Sequence, residues 1–361
     1  MFSNIFRDKK ILVTGDTGFK GSWLSLWLSE MGAQVFGYAL PPNHVDDNFL
    51  ICELKNRVAH ENGDIRELPD LIAYFDEIKP DIVFHLAAQA LVLESYSDPH
   101  TTFATNIMGT VNLFEAVRKT PSVKVVINVT SDKCYTNNEW VWGYREKDPL
   151  GGHDPYSASK SASEVVTASY ISSYFSKPST PNVASVRAGN VIGAGDWAEN
   201  RIIPDFFRAI QQQTPLVIRN PSATRPWQHV LEPLSGYLLL AAKLFQEGEK
   251  FQGAWNFGPM DIMNRSVEDL IAELLKKDNC LEYSVQPNQD AIESHLLKLD
   301  ISKAVKSLGW MPVLDFEKTV ELTAEGYFSD QAGHSGLKNR LDTISHYIEL
   351  AKTKKLNWAT Y

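Results

Sequence analysis

The feature that most restricts the fold lies near the start of the chain. Lys10 to Thr14 is a short β-branched run, Gly15-Asp16-Thr17-Gly18-Phe19-Lys20-Gly21 follows it, and from about Ser22 to Met31 the apolar residues take helical spacing. Strand, glycine turn and helix in that order leave few architectures open. Three glycines spaced G-x-x-G-x-x-G let the backbone turn tightly and approach a pyrophosphate, which then meets free N–H groups at the helix start. Gly15, Thr17, Gly18, Phe19, Lys20 and Gly21 are therefore read as a dinucleotide cradle.

The next strand, Gln34 to Tyr38, runs into Ala39-Leu40-Pro41-Pro42. It lacks the carboxylate that takes a ribose 2′-hydroxyl and the Arg that takes a 2′-phosphate, so the strand end does not choose between NAD and NADP. Asp16 puts a negative side chain inside the phosphate turn. There it suits a helix cap better than a ligand contact.

Alternation continues. Asp81 to Leu86 is a strand, and Leu86, Ala87, Ala88 and Gln89 lead into a small-residue turn beside which a nicotinamide or ribose can pass. From His100 to Lys119, Phe103, Ile107, Val111, Phe114 and Val117 recur at helical spacing, a stripe for the core first and for a dimer contact second. Asn106 lies off the stripe, placed to brace neighbouring backbone at the cofactor site. Strand Lys124 to Val129 then delivers Ser131, Asp132 and Lys133, a hydroxyl, a carboxylate and an amine at a strand's carboxyl end, where open α/β sheets bind ligands. Tyr156 and Lys160 open a helix that runs to about Phe175. At i and i+4 they share a face, so the ammonium can lower the phenol's pKa and let Tyr156 exchange a proton with a substrate hydroxyl.

This regular β-α-β order predicts an α/β fold, a doubly wound parallel sheet of Rossmann type, with a smaller C-terminal α/β domain. With 361 residues and 43% hydrophobic content the chain can fill two cores. The pattern loosens after strand Val183 to Arg187. We therefore expect a cofactor domain at 1–187 with 229–257, and a substrate domain at 188–228 with 258–361. Arg201, Arg219 and Arg225 fall in loops of the latter, with Trp227 and Gln228 adjacent, an arrangement suited to bidentate contacts with a sugar-nucleotide diphosphate. A net charge of -9 excludes an extended nucleic-acid surface. Cys52, Cys134 and Cys280 are too scattered for a disulfide framework or a zinc site, and no apolar run is long enough to span a bilayer. A soluble cytoplasmic protein without a metal is expected.

The motifs T-G-x-x-G-F-x-G (Thr14 to Gly21) and Y-x-x-x-K (Tyr156, Lys160) come with narrower ones. These are Thr130-Ser131-Asp132-Lys133, Gly195-Asp196-Trp197-Ala198, Arg201-Ile202-Ile203-Pro204, Arg225-Pro226-Trp227-Gln228-His229-Val230 and Leu297-Lys298-Leu299-Asp300. Over nearly its whole length the chain resembles the extended short-chain dehydrogenases/reductases that act on nucleotide sugars, 4,6-dehydratases above all. That family's turn commonly carries His where this chain has Asp16.

The resemblance implies CDP-glucose as substrate, NAD retained in the site, and a homodimer or homotetramer paired through the helices from His100 and Tyr156. It implies that Tyr156 takes the C4 hydroxyl proton, Ser131 bridges to that hydroxyl, Lys160 holds the ribose, and Asp132 is the acid for the departing C6 hydroxyl. Lys133 stands where dTDP-glucose dehydratases carry the C5 base, either as a neutral amine or as a cation beside an enolate. Asn190, Arg201, Arg225, Trp227, Gln228 and Asn256 would contact substrate, and Asp64 and Ile65 would flank adenine. A 4-epimerase needs the same turn and Tyr-Lys pair but no acid for a leaving group, so Asp132-Lys133 separates the two. A non-catalytic dinucleotide-binding protein would have no use for Tyr156 and Lys160.

Overall fold

Runs such as Ile11-Leu12-Val13 and Val125-Val126-Ile127 present apolar side chains to both faces, so they are stable only in a sheet covered on both sides. The computed structural model, described for residues 1–260, 265–277, 281–286 and 296–360, places them there; Cys280 lies outside the described residues. Seven strands make the sheet: β1 (Lys10–Thr14), β2 (Gln34–Ala39), β3 (Ala59–Asn62), β4 (Ile82–His85), β5 (Val125–Val129), β6 (Asn182–Ala188) and β7 (Gly253–Phe257). Their order is β7-β6-β5-β4-β1-β2-β3, and every neighbouring pair is parallel. The expected Rossmann architecture is thus observed. Because β2 and β3 are laid down on one side of β1 and β4 to β6 on the other, a crevice opens at the carboxyl ends of β1 and β4. The glycine turn leaves β1 at that point, and β5 ends next to it.

Alternation along each strand sorts the core. Ile11, Val13, Phe84, Val125 and Ile127 pack on one face, with α1 (Phe19–Glu30). Leu12, Val83 and Val126 pack on the other, beneath α2 (Leu68–Ile78) and α3 (Gly109–Lys119). The helix α4 (Pro155–Tyr174) starts with Pro155 in its first turn and Asp154 as N-cap, whose Oδ1 accepts from Ser157 N at 2.9 Å.

The apolar stripe from Phe103 to Val117 is only half core. Phe114 and Val117 are buried, whereas Phe103 is exposed. A wide π-turn at Ala104–Met108 interrupts the helix and inserts extra backbone per turn. The inward face of the first half is consequently polar, with Thr102, Asn106 and Thr110 buried.

A second apolar cluster joins Trp197, Phe206 and Phe207 around α5 (Ile202–Gln212) to Leu270 and Leu274 of α7 (Val267–Leu275) and Val320 and Tyr327 of α8 (Phe316–Gln331). Between α5 and α7 in the chain, α6 (Leu231–Glu247) returns to the sheet. The C-terminal helix α9 (Gly336–Thr353) does not join the second cluster. Its Ile344, Tyr347 and Ala351 enter the core of the large sheet. One buried carboxylate ties these parts together: Glu232 of α6 accepts from Val313 N, Leu314 N and the Tyr347 hydroxyl, at 2.6–3.0 Å. Among the described residues no helix is long and apolar enough to cross a membrane.

Candidate active site

Two of the cradle's glycines leave no room for a side chain. Gly15 has φ +75°, and a Cβ on it would lie 2.7 Å from Ala87 N; one on Gly21 would lie 2.0 Å from Gly15 O. The turn therefore closes onto the β4 loop, bringing Gly15 and Ala87 into contact as the small residues suggest. Helix α1 opens at Gly18 without a side-chain cap, so its first N–H groups remain available to an anion. Thr17 turns its hydroxyl to Leu40 O at 2.8 Å. Beside the cradle Asn106 does brace backbone: its Oδ1 accepts from Gln89 N and its Nδ2 donates to Gln89 O, each at 2.9 Å. These residues fit a dinucleotide pyrophosphate.

Asp16 does not cap the helix. It is fully buried against β2, where a Cβ on Gly37 would lie 2.0 Å from its Oδ2, and that oxygen meets His60 Nδ1 at 2.8 Å. Burial pushes the carboxyl up, and His60 opposes the rise. Helix α1 begins at Phe19 with Gly18 as its N-cap, so Asp16 stands two residues ahead of the capping position. Sequence order alone did not show His60, 44 residues away, as its partner.

Residues expected to react meet at the end of β5. Ser131, Asp132 and Tyr156 are only 7%, 4% and 8% exposed. The Ser131 hydroxyl donates to Asp132 Oδ1 at 3.1 Å and accepts from Lys133 N at 3.2 Å. Burial pushes Tyr156 up to about 12; Ser131 and the charge of Arg201 oppose that rise while Asp132 adds to it. Lys160 lies buried one helical turn after Tyr156. Its ammonium donates to Val129 O at 3.2 Å, and burial together with the charge of Lys20 brings it down to about 8. Lys20 is itself brought down to about 8 by burial and Arg201, and its charge reaches Asp132. Burial raises the Asp132 carboxyl, against Lys133, Ser131, Lys20 and Arg225. A buried carboxyl shifted in that direction suits a general acid.

Of the expected substrate residues, Arg201 and Arg225 are brought to this centre through their charges on Tyr156 and Asp132. Arg201 is oriented by Asp196 at 2.7 Å. Arg219 lies further out, bonded to Asn200 O. Asn190 is half-buried, and its carbonyl accepts from Gln228 N. Gln228 is buried, with Nε2 on Phe257 O and its Oε1 without a partner among the described residues.

Three side chains expected at ligands turn inward. Asn256 is completely buried, with Oδ1 taken by the Tyr135 hydroxyl and Nδ2 by Tyr144 O and Asp300 O. Trp227 packs in the second cluster and donates to Arg265 O. Ile65 is core beneath Gly109, while Asp64 is gripped by Arg66, which holds its carboxyl below the usual range.

Two contributors went unread in the sequence. Gly189 lies against the acid: a Cβ there would sit 2.6 Å from Pro226 Cγ and 3.0 Å from Asp132 Oδ2. Thr130 donates to Glu164 at 2.5 Å, and Glu164 pairs with Arg187. A Glu one turn after Lys160 and an Arg inside an apolar strand were the available signals.

A family model described as GDP-mannose 4,6 dehydratase matches residues 12–323. The chain is 49% identical over 314 residues to a CDP-glucose 4,6-dehydratase of Salmonella typhimurium, covering 86% of this chain and 88% of that protein. It is 26% identical to a dTDP-glucose 4,6-dehydratase of Haemophilus influenzae, covering 88% and 97%. Among solved structures, a Bacillus anthracis dTDP-glucose 4,6-dehydratase in complex with NAD superposes with a TM-score of 0.74 at 21% identity, over 91% of this chain and 99% of that one. A Stenotrophomonas maltophila UDP-glucose-4-epimerase with bound NAD does so at 0.79 and 21%, over 90% and 99%. Dehydratase and epimerase thus share this fold.

Proposed function

The chain belongs to the GDP-mannose 4,6 dehydratase family of extended short-chain dehydrogenases/reductases, and from that membership we propose that it dehydrates CDP-D-glucose to CDP-4-dehydro-6-deoxy-D-glucose, using NAD. The observation that carries the reading is Asp132, a buried carboxyl that accepts from Ser131 at 3.1 Å and whose charge reaches Tyr156. A 4-epimerase has no leaving group for such an acid to protonate.

Bound NAD supplies the acceptor for the C4 hydride and its donor to C6. The first turn of α1 holds the pyrophosphate, and Lys160 holds the ribose. Tyr156 takes the O4 proton, with Ser131 and Arg201 favouring its phenolate. The C4 ketone acidifies C5. Lys133 lies beside the acid and attends C5, and Asp132 gives its proton to the departing C6 oxygen. Arg201, Arg219 and Arg225 take the diphosphate; Asn190 and Gln228 line its approach.

The second apolar cluster supports a nucleotide-sugar domain over 188–228 and 258–361 beside the NAD domain, 1–187 with 229–257, although α9 rests on the latter's core. Exposed Phe103, Met108 and Val165 support pairing as a homodimer or homotetramer through the helices that carry them. Two buried free cysteines, Cys52 and Cys134, suit a reducing cytoplasm. The test is product analysis by mass and NMR after incubation with CDP-, dTDP-, GDP- and UDP-glucose. A CDP-linked 4-keto-6-deoxy sugar is expected; CDP-galactose without any 6-deoxy product overturns the dehydratase reading.

A further inference from the structure

The stretch Gly195-Asp196-Trp197-Ala198 contributes none of the reacting groups, yet it runs directly to Arg201. Arg201 is the N-cap residue of α5, and its Nη1 donates to Asp196 Oδ2 at 2.7 Å. The other carboxylate oxygen of Asp196 accepts from Ala198 N at 3.2 Å, and its carbonyl accepts from the Tyr327 hydroxyl. The anchor of this loop lies just before it, at Ala194. The Ala194 carbonyl accepts from Trp23 Nε1 of α1 at 3.0 Å and from Asn48 Nδ2 at 3.1 Å. A carbonyl oxygen offers two acceptor positions, and both are filled.

We infer that Asn48 and Trp23 are positioning residues for the substrate diphosphate: by clamping Ala194 they set Asp196, and through Asp196 the guanidinium of Arg201. The inference rests on the reading that Arg201 takes the diphosphate. One hydrogen bond would leave the Ala194 peptide free to swing about it. Two donors from different elements, α1 and the chain after β2, fix its direction and that of the residues that follow.

Asn48 is itself held. It is only 3% exposed, and its Oδ1 accepts from Arg340 Nε at 3.0 Å. Arg340 is wholly buried on α9, where its other guanidinium nitrogens donate to Asp330 and Asn339. With its oxygen on a donor-only group, the amide must turn its nitrogen to Ala194. Gly195 completes the fit. At φ +84°, it brings the chain so close over the amide that a Cβ would lie 1.9 Å from Asn48 Oδ1. A side chain there would push Asn48 off Ala194.

CDP lacks the sugar and is not turned over, so its affinity reads the diphosphate contact directly; cytidine is the ligand without that contact. Titration calorimetry on the NAD-loaded enzyme compares the two. Arg201→Ala should weaken CDP on the order of 10- to 10²-fold, the worth of a hydrogen bond to a charged group, and leave cytidine unchanged. Asn48→Asp keeps the acceptor for Arg340 and removes the donor to Ala194, so it should weaken CDP by roughly tenfold, again without touching cytidine. In the Arg201→Ala background the same substitution should add nothing, because both changes act at one guanidinium. Equal losses for CDP and cytidine, no loss at all, or losses that multiply in the double variant overturn the positioning role. If Asn48→Asp does not fold, Trp23→Phe removes the other donor to the same carbonyl and is judged by the same measures. An Arg201→Ala enzyme that binds CDP as wild type does removes instead the assignment of Arg201 to the diphosphate, and the inference with it.

Discussion

Arg187 grips Glu164 with two hydrogen bonds of 2.8 Å, Nε to one carboxylate oxygen and Nη2 to the other, with both side chains buried between β6 and α4. Thr130 and Ser185 complete the carboxylate's contacts, and Arg187 also donates to the Tyr135 hydroxyl, which holds Asn256. Removing one member leaves a buried charge without its partner. Glu164→Ala is expected to cost about 3–5 kcal/mol in chemical denaturation, and adding Arg187→Met should recover part of that loss.

Asp132→Asn keeps the shape of the acid and removes its proton. Oxidation at C4 should persist, so reduced nicotinamide and a 4-keto sugar accumulate. Formation of the 6-deoxy product should fall by roughly 10²–10⁴-fold. Absorbance of reduced nicotinamide, followed with product NMR, checks both halves.

Gly189→Ala puts a methyl where Pro226 and Asp132 Oδ2 already stand. The acid must shift, and misplacing a reacting group by about 1 Å can cost on the order of 10² in rate. A fall in kcat is expected, with KM nearly constant and little change in Tm. A large fall in Tm would instead assign Gly189 to folding.

Glu232 predicts a pH dependence of stability. Burial pushes its carboxyl from 4.5 up to about 7. Between those values the folded chain holds a proton that the unfolded chain has released, so this group's contribution falls as pH rises from 4.5 to about 7 and is constant above. Glu232→Gln removes that slope. Urea midpoints at about pH 5 and about pH 7.5 should therefore differ less in the variant than in wild type.

Much of the site could be read along the chain because its parts are local. The cradle occupies seven consecutive residues, Tyr156 and Lys160 stand one helical turn apart, and Ser131-Asp132-Lys133 directly follow an apolar strand; turn chemistry and periodicity encode each without reference to anything distant. The same reasoning misjudged Asp16, because its partner is on a different strand. The partners of the Asn256 side chain, Tyr135, Tyr144 and Asp300, likewise arrive from elsewhere in the chain.

By itself the sequence determined the parallel α/β sheet and the dinucleotide turn. Only the tertiary structure decided that the charge of Arg201 reaches Tyr156, that Asp16 pairs with His60, and that Ser131 donates to Asp132. Strand and helix signals depend on neighbours within about one turn or two residues, whereas burial and charge depend on whichever residues the fold brings within a few ångströms, however far apart they lie in the chain.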